Sequence, residues 1–231
     1  MTGTIEVGGL TFEVRRSPRR RTIGLTVDRG GELVVHAPEA LAARELREWI
    51  QSKLLWVHRK LATKETLVVR HKPPEYVSGE SFSYLGRRYR LRLVREQFLP
   101  LRFDGRFFWL KAEHRSRAEE HFRRWYIRTG REWLRERVAV LSRKTRTEAQ
   151  GVAVRDLGYR WGSCGRKGIL YFNWRLLQLP VRLIDYVIVH ELIHLRHPHH
   201  RPEFWLAVER AMPDWTGRRD ALRAVGGGEL G

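Results

Sequence analysis

Two histidines and a glutamate, in the run HELIH at residues 190–194, have the residue types and spacing that could do chemistry. On a helix, His190 and His194 project from one face, close enough to share a metal ion. Glu191 lies about 100° round the helix from His190, so it can reach a water at an open coordination position instead. Zinc lowers the pKa of such a water and polarises a carbonyl, while the glutamate takes the proton and later delivers it. The run therefore predicts a hydrolytic Zn²⁺ site with Glu191 as general base.

The residues around this run favour a buried helix. The segment LIDYVIV at residues 183–189 is almost wholly apolar, which would place the histidines in the interior, where a neutral, metal-bound imidazole is at home. Five of the ten histidines fall between residues 190 and 200. The alternative interpretation is a pair of hydrogen-bonded core histidines followed by a solvated histidine cluster at residues 197–200.

A third protein ligand is needed, and several residues beyond His194 could supply it. His197 continues the helical face, but it would stand about 10.5 Å from His190 along the axis, too far for three imidazoles to converge on one ion. Pro198 also disfavours helical conformation at His197. The chain must then turn, and the residues beyond the turn that could approach the ion are His199, His200 and, as a carboxylate alternative, Glu203.

The elements that must position these side chains are predicted to be helices and short strands. Ser116 and Glu119 form a capping-box pattern that would open a long helix to about Thr145. Pro180 leads into the helix that carries the motif. Two strands are predicted between these helices, near Val152–Asp156 and Ile169–Trp174, and a last helical segment is predicted at Glu203–Met212.

The first half of the chain is predicted to be rich in strands. A helix opens after Pro38, and Asp104-Gly105 between two apolar runs indicates a hairpin turn. Before that turn, apolar residues alternate with Arg88, Arg90 and Arg92, which is the period of a half-buried strand. These arginines could hold nucleic acid or form a solvated outer face. The short strands before the helix are Thr11–Arg16, Ile23–Val27 and Glu32–Ala37, with Gly30-Gly31 as a turn between the last two.

Charge is the strongest compositional signal. The formal net charge is +19, from 45 Lys and Arg against 26 Asp and Glu. Such a balance favours polyanionic partners such as nucleic acid, although genome composition or heat adaptation could also produce an arginine-rich chain. Nucleic acid is therefore a candidate partner, in addition to the substrate of the predicted hydrolytic site.

Other features of the sequence limit where in the cell the protein is expected to be found. No apolar run approaches the roughly 18 residues that span a bilayer, so no membrane association is predicted. Residues 1–10 lack the basic start and apolar core of a signal peptide. The single cysteine, Cys164, excludes an internal disulfide and fits a reducing compartment. We expect a cytoplasmic protein.

The motifs together resemble the YgjP-like metallopeptidases, relatives of SprT-type and other zincin proteases. HELIH, followed by His200 and by PEFW at residues 202–205, is similar to the family signature. RWGSC at residues 160–164 and NWRL at residues 173–176 match its other hallmark. Segments in the first half also resemble the family, at Arg15–Ser17 and Gly79–Arg87. The sequence departs from the pattern at Gly158-Tyr159, where the family would have Lys-Ser, so no role is carried over to those two positions.

The resemblance implies an α+β fold. Residues 1–112 would form a β-rich N-terminal lobe and residues 113–231 a zincin-like lobe, in which a mixed sheet packs on the HExxH helix. An edge strand beside the metal would bind an extended peptide, and Ile169–Trp174 is the candidate. The resemblance also implies His200 as the third ligand. Five residues separate it from His194, which is the spacing of the metzincin pattern.

The predicted function is a zinc metallopeptidase that hydrolyses peptides or proteins, and two alternatives stay open. A nucleic-acid-binding protein with a structural zinc would need a fourth ligand, such as His197 or His199, and would leave no water on the ion. A zinc hydrolase of non-peptide bonds would use the same metal, water and glutamate, because these three groups together can cleave many kinds of carbonyl compound. The Trp161–Cys164 segment is interpreted as a buried turn with Cys164 as a small apolar filler, or as part of the substrate cleft wall. Cys164 as a metal ligand is an open but less favoured alternative, because three histidines suffice.

Overall fold

The computed structural model describes residues 2–27, 32–68, 74–158 and 160–225. Within these residues, eleven strands and five α-helices confirm the predicted α+β class. The Gly30-Gly31 turn and Tyr159 lie outside the described residues. The chain divides into two compact units, Met1–Pro73 and Pro74–Gly231. No described helix is long and apolar enough to cross a membrane.

The first unit is a four-stranded sheet with one helix. The strand order is β1-β2-β4-β3, with β2 and β4 parallel and the outer pairs antiparallel. The predicted strands and helix are all present, whereas β1 was not predicted. Its core joins buried residues of the sheet and the helix, such as Phe12, Val35, Leu46 and Ile50. The elements are β1 (Thr2–Val7), β2 (Leu10–Ser17), β3 (Gly24–Val27), β4 (Leu33–Pro38) and α1 (Ala43–Val68).

The second unit begins with another four-stranded sheet, in the order β5-β6-β8-β7. The predicted hairpin turn at Asp104-Gly105 is confirmed. The Asp104 carboxylate accepts hydrogen bonds from the backbone N–H groups of Arg106 (2.9 Å) and Phe107 (2.8 Å), and Gly105 has the positive φ of 90° that such a turn favours. The strands are β5 (Ser81–Tyr84), β6 (Arg87–Val94), β7 (Leu101–Phe103) and β8 (Phe107–Lys111).

A long helix, α2 (Ala118–Thr145), covers the inner face of this sheet. The predicted capping box is wrong, because Ser116 lies in a 3-10 helix, Ala112–Arg117, that precedes α2. Arg117 takes the N-cap position and its side chain makes no capping hydrogen bond. A helix can therefore begin at the end of a tighter turn without the side-chain acceptor that the sequence pattern suggested.

The aromatic contacts of α2 explain where the units divide. The ring of Phe122 stacks on that of Phe82 with centroids 4.2 Å apart, and Trp125 meets Phe108 edge to face at 4.9 Å. Strands β5–β8 thus share one core with α2 and the later elements. The sequence-based boundary at residues 112/113 consequently falls inside the second compact unit, which begins at Pro74.

A three-stranded mixed sheet follows α2, in the order β10-β11-β9. Its strands are β9 (Gly151–Arg155), β10 (Gly162–Cys164) and β11 (Ile169–Asn173). The prediction that Ile169–Trp174 forms the edge strand is wrong. Strand β11 lies in the centre, parallel to β9 and antiparallel to β10. The edges belong to β9 and β10, and the three residues of β10 are too few to give a strand signal in the sequence.

Three helices complete the unit. α3 (Val181–Ile193) is the predicted motif helix, and each of its residues from 183 to 193 is buried. α4 (Pro202–Ala211) is the predicted last helical segment, with Pro202 at its start. A further helix, α5 (Trp215–Ala224), was not predicted. The 3-10 helix Trp174–Gln178 connects β11 to α3.

Candidate metal centre

The end of α3 presents the first two histidines on one face. His190 is 1% exposed and lies in the last turn, while His194 caps the helix with φ −60° and ψ −21°, close to helical values. Because the helical path continues to His194, the two rings project together. Their Nε2 atoms lie 3.1 Å apart.

The chain turns after α3 and returns a third histidine to the same point. The Nε2 atom of His200 lies 2.9 Å from Nε2 of His190, and the ligand atoms of all three histidines lie within 4.8 Å of one another. Across the described part of the chain, no other group of three or more His, Cys, Asp or Glu side chains converges in this way. The structure therefore brings His190, His194 and His200 together.

The other candidates in the turn lie outside this cluster. The carbonyl oxygen of His197 lies 3.0 Å from Nδ1 of His194. An Nδ1–H that donates to this carbonyl leaves the lone pair of His194 at Nε2, facing the other two rings. His197 thus orients a neighbouring ring through its backbone. His199 and Glu203 are exposed and do not belong to the cluster.

The geometry of the three rings fits a metal ion. Bonds of about 2.1 Å in a tetrahedral site place ligand nitrogens about 3.4 Å apart, close to the two separations above. Burial, and then the neighbouring His199, lowers the pKa of His200, which favours the neutral ring that binds metals. The donor set is therefore three imidazole nitrogens that lie close enough together to bind one ion.

A column of stacked planar groups supports the third histidine. The ring of His200 lies over Trp205, with centroids 5.6 Å apart and an interplanar angle of 23°. Trp205 in turn stacks on Trp215 of α5 at 4.6 Å and 20°. The guanidinium of Arg219 covers the far side at 4.8 Å from Trp215. The orientation of His200 thus depends on residues of α4 and α5. The spacing of the histidines in the sequence does not predict these contacts.

Glu191 is fully buried beside this cluster. Neither carboxylate oxygen has a hydrogen-bond partner of good geometry among the described residues. Burial raises the pKa of Glu191 to about 8, while the charge of Arg160 and the backbone N–H of Cys164 act in the opposite direction. A buried carboxyl group without a strong partner costs stability, and such groups are concentrated at functional sites.

Strand β10 lies directly against Glu191. A Cβ atom on Gly162 would stand 2.7 Å from Cγ and from Oε1 of Glu191, a separation that real Cβ atoms essentially never show. Glycine is therefore required if the strand is to approach the carboxylate this closely. The strand beside Glu191 is β10, which corrects the assignment of the site's edge strand to Ile169–Trp174.

Cys164 lies on β10 with its side chain partly buried. Burial, and then the nearby charge of Glu191, raises the pKa of its thiol. A protonated thiol is a poor metal ligand, since the thiolate is the form that binds. In agreement, Cys164 is not a member of the histidine cluster.

The family assignment follows from comparison of the sequence with known families. Residues 21–225 match the family described as YgjP-like, metallopeptidase domain. The chain belongs to this YgjP-like family. Membership confirms the resemblance and makes the protein a metal-dependent peptidase, whose substrates are peptides or proteins.

Other comparisons are weaker. The crystal structure of the metallopeptidase zymogen of Pyrococcus abyssi abylysin is similar over 39% of this chain and 91% of that one, with 20% sequence identity and a TM-score of 0.37. No curated protein sequence matches the chain.

Three positions in this YgjP-like chain make contacts at the site that the sequence does not predict. Gly162 belongs to RWGSC and to the Trp161–Cys164 segment, for which a buried turn and a cleft wall are the two interpretations, and Trp205 belongs to PEFW. Trp215 carried no signal beyond its residue type. For the first two, a usable signal was present, because each belongs to a motif that the resemblance singled out.

Proposed function

We propose that this protein is a Zn²⁺-dependent peptidase in which His190, His194 and His200 hold the ion and Glu191 is the general base. The observation that carries the proposal is a fully buried carboxylate, without a good hydrogen-bond partner among the described residues, next to three convergent imidazoles. Zinc suits this donor set, because it accepts neutral imidazole nitrogens in a tetrahedral arrangement.

The division of roles follows from the donor count. His190, His194 and His200 would hold the ion, which would supply a water of lowered pKa and polarisation of a substrate carbonyl. A cation held by the three histidines would favour the ionised form of Glu191, opposing the effect of burial on its pKa. The ionised carboxylate would accept a proton and return it to the leaving amine. The Nδ1 contact of His194 with the His197 carbonyl keeps that ring in the tautomer that binds metal.

The substrate main chain is proposed to lie along β10. Among the described strands β10 pairs only with β11, so its second edge is available to an extended peptide. The carbonyl of Trp161 and the N–H of Gly165 bond towards β11. By the alternation of an antiparallel pair, the main-chain groups of Gly162 and Cys164 face the other edge, on the side of Glu191.

The donor count also weighs against a structural zinc. A closed structural site needs a fourth protein ligand, and the two candidates were His197 and His199. Neither joins the cluster among the described residues, and His197 directs its carbonyl to His194. An open coordination position supports hydrolysis over a purely structural role.

The decisive test is Glu191→Gln. The substitution keeps the size of the side chain but removes the base, so the variant should retain about one zinc per chain and lose hydrolysis by about 10²- to 10⁴-fold. Metal analysis and digestion of a peptide library measure the two quantities. Glu203→Gln, at an exposed position on α4, is the matched control and should change neither. Unchanged turnover in the Glu191 variant would refute the mechanism.

A further inference from the structure

The β5–β8 sheet has two faces of different chemistry. Its inner face packs on α2 through apolar residues of all four strands. On the opposite side, Arg90 pairs with Phe107, Arg92 with Trp109, and Arg102 with Trp109. Residues paired directly across neighbouring strands share a face. We define the outer face by Arg88, Arg90, Arg92, Arg102, Phe107 and Trp109.

The arginines of the outer face carry uncompensated charge. All four are exposed, and within the described residues none forms an ion pair with a carboxylate. The nearby carboxylate of Asp104 accepts hydrogen bonds from Trp109 Nε1 (2.6 Å) and from backbone N–H groups of its own turn. By contrast, Arg117 at the N-cap of α2 and Arg124 within α2 share Glu120, at 2.9 and 2.5 Å. Arg102 also interacts electrostatically with Asp104, but four arginines outnumber this one carboxylate, and the excess positive charge favours a polyanionic partner.

The rings of this face lie between those arginines. Phe107 and Trp109 are partly exposed. The guanidinium carbon of Arg92 lies 3.9 Å from the ring centroid of Phe107 and 5.4 Å from that of Trp109. Arg102 approaches Trp109 from the other side, at 5.7 Å. Stacked guanidinium and aromatic planes offer flat surfaces to a nucleobase and leave N–H edges for phosphate oxygens.

We propose that the outer face binds single-stranded nucleic acid. Arg88, Arg90 and Arg92 lie about 7 Å apart along one strand and follow the phosphates of an extended chain. The rings of Phe107 and Trp109 stack on bases, which only an unpaired strand can offer. A broad sheet face also fits poorly into a duplex groove, which admits a helix or a two-stranded ribbon.

A second arginine-rich surface on α2 allows a matched control. Arg128, Arg131 and Arg135 are exposed on one side of that helix, around Ile127 and Glu132. None of the three makes a cation–π contact with a described ring. This surface carries comparable charge without rings, so it reports what positive charge alone contributes to binding.

The test measures fluorescence anisotropy of labelled oligo(U) and oligo(dT) of about 16 nucleotides with the full chain. We expect binding that weakens as salt rises. The variant R88Q/R90Q/R92Q should bind at least about tenfold more weakly, and its slope of log affinity against log salt should shrink by about 2. R128Q/R131Q/R135Q should bind as the parent does. The oligo(U) and oligo(dT) arms distinguish RNA from DNA as the partner.

The rings are tested separately from the charge. Phe107→Leu and Trp109→Leu should each weaken binding about fivefold or more while the salt slope stays the same. Phe107 donates no side-chain hydrogen bond, so its variant remains informative if loss of the Trp109–Asp104 bond disturbs the fold. Equal losses in the two triple-arginine variants, absence of binding by the parent chain, or equal affinity for a duplex would each overturn the proposal.

Discussion

The two sides of the candidate metal centre differ in how far apart their residues lie along the chain. On the helix side, His190, Glu191 and His194 follow one another within five residues of α3. On the other side, His200 returns from a turn and Gly162 comes from a three-residue strand. Local spacing is enough to place groups on one helix. Groups from separate elements meet only if turns, stacking and close backbone approach bring them there.

The largest effect is expected from His200→Ala. Removal of the ligand from the turn should weaken zinc binding by more than about 100-fold, because loss of a ligand exceeds the typical cost of losing an outer partner. Zinc affinity is measured by competition with a chelator. The variants His197→Ala, His199→Ala and Glu203→Ala are the controls and should stay much closer to the parent. Retention of zinc by the His200 variant, with loss in the His199 or Glu203 variant, would reassign the ligand.

A smaller effect is expected from Gly162→Ala. The added methyl group must displace Glu191 or β10, and a shift of about 1 Å in a catalytic group costs on the order of 10²-fold in rate. Zinc affinity should remain unchanged, since the atoms nearest to the added methyl group belong to Glu191, which is not one of the proposed ligands. Gly151→Ala on β9 is the control, because its Cβ would meet nothing closer than 3.9 Å. Equal activity in both glycine variants would show that strand approach does not position Glu191.

The smallest effect is expected from Trp205→Leu. The substitution removes one stacking partner of His200 and should weaken zinc binding about two- to tenfold, the range of a lost aromatic contact. Trp215→Leu removes the next layer of the column and should have a smaller effect. The same chelator competition measures both. A Trp215 effect larger than that of Trp205 would show that the column acts on the fold of α5 and not on His200.

The sequence predicted the elements in which local pattern and burial agree. α3 was recognised because its apolar residues and the HELIH spacing describe one buried helix. Strands β2–β4 and the Asp104-Gly105 turn were recognised because β-branched runs and turn residues act over a few positions. The capping box at Ser116 failed, since a 3-10 helix took the place of the side-chain cap. The sequence-based boundary at residues 112/113 differs from the division after Pro73, because aromatic contacts join β5–β8 to α2 in one core.

What the sequence alone determined is the chemistry offered by α3: two imidazoles on one face and a carboxylate beside them. The choice among His199, His200 and Glu203 was not determined by spacing, and resemblance to a family was needed to favour His200. Only the tertiary structure decided that β10 is the edge strand beside Glu191, that Gly162 admits it there, and that Trp205 and Trp215 support His200. The physical reason is range: helical spacing acts over a few residues through local hydrogen bonds, whereas these contacts depend on packing between segments far apart in the chain.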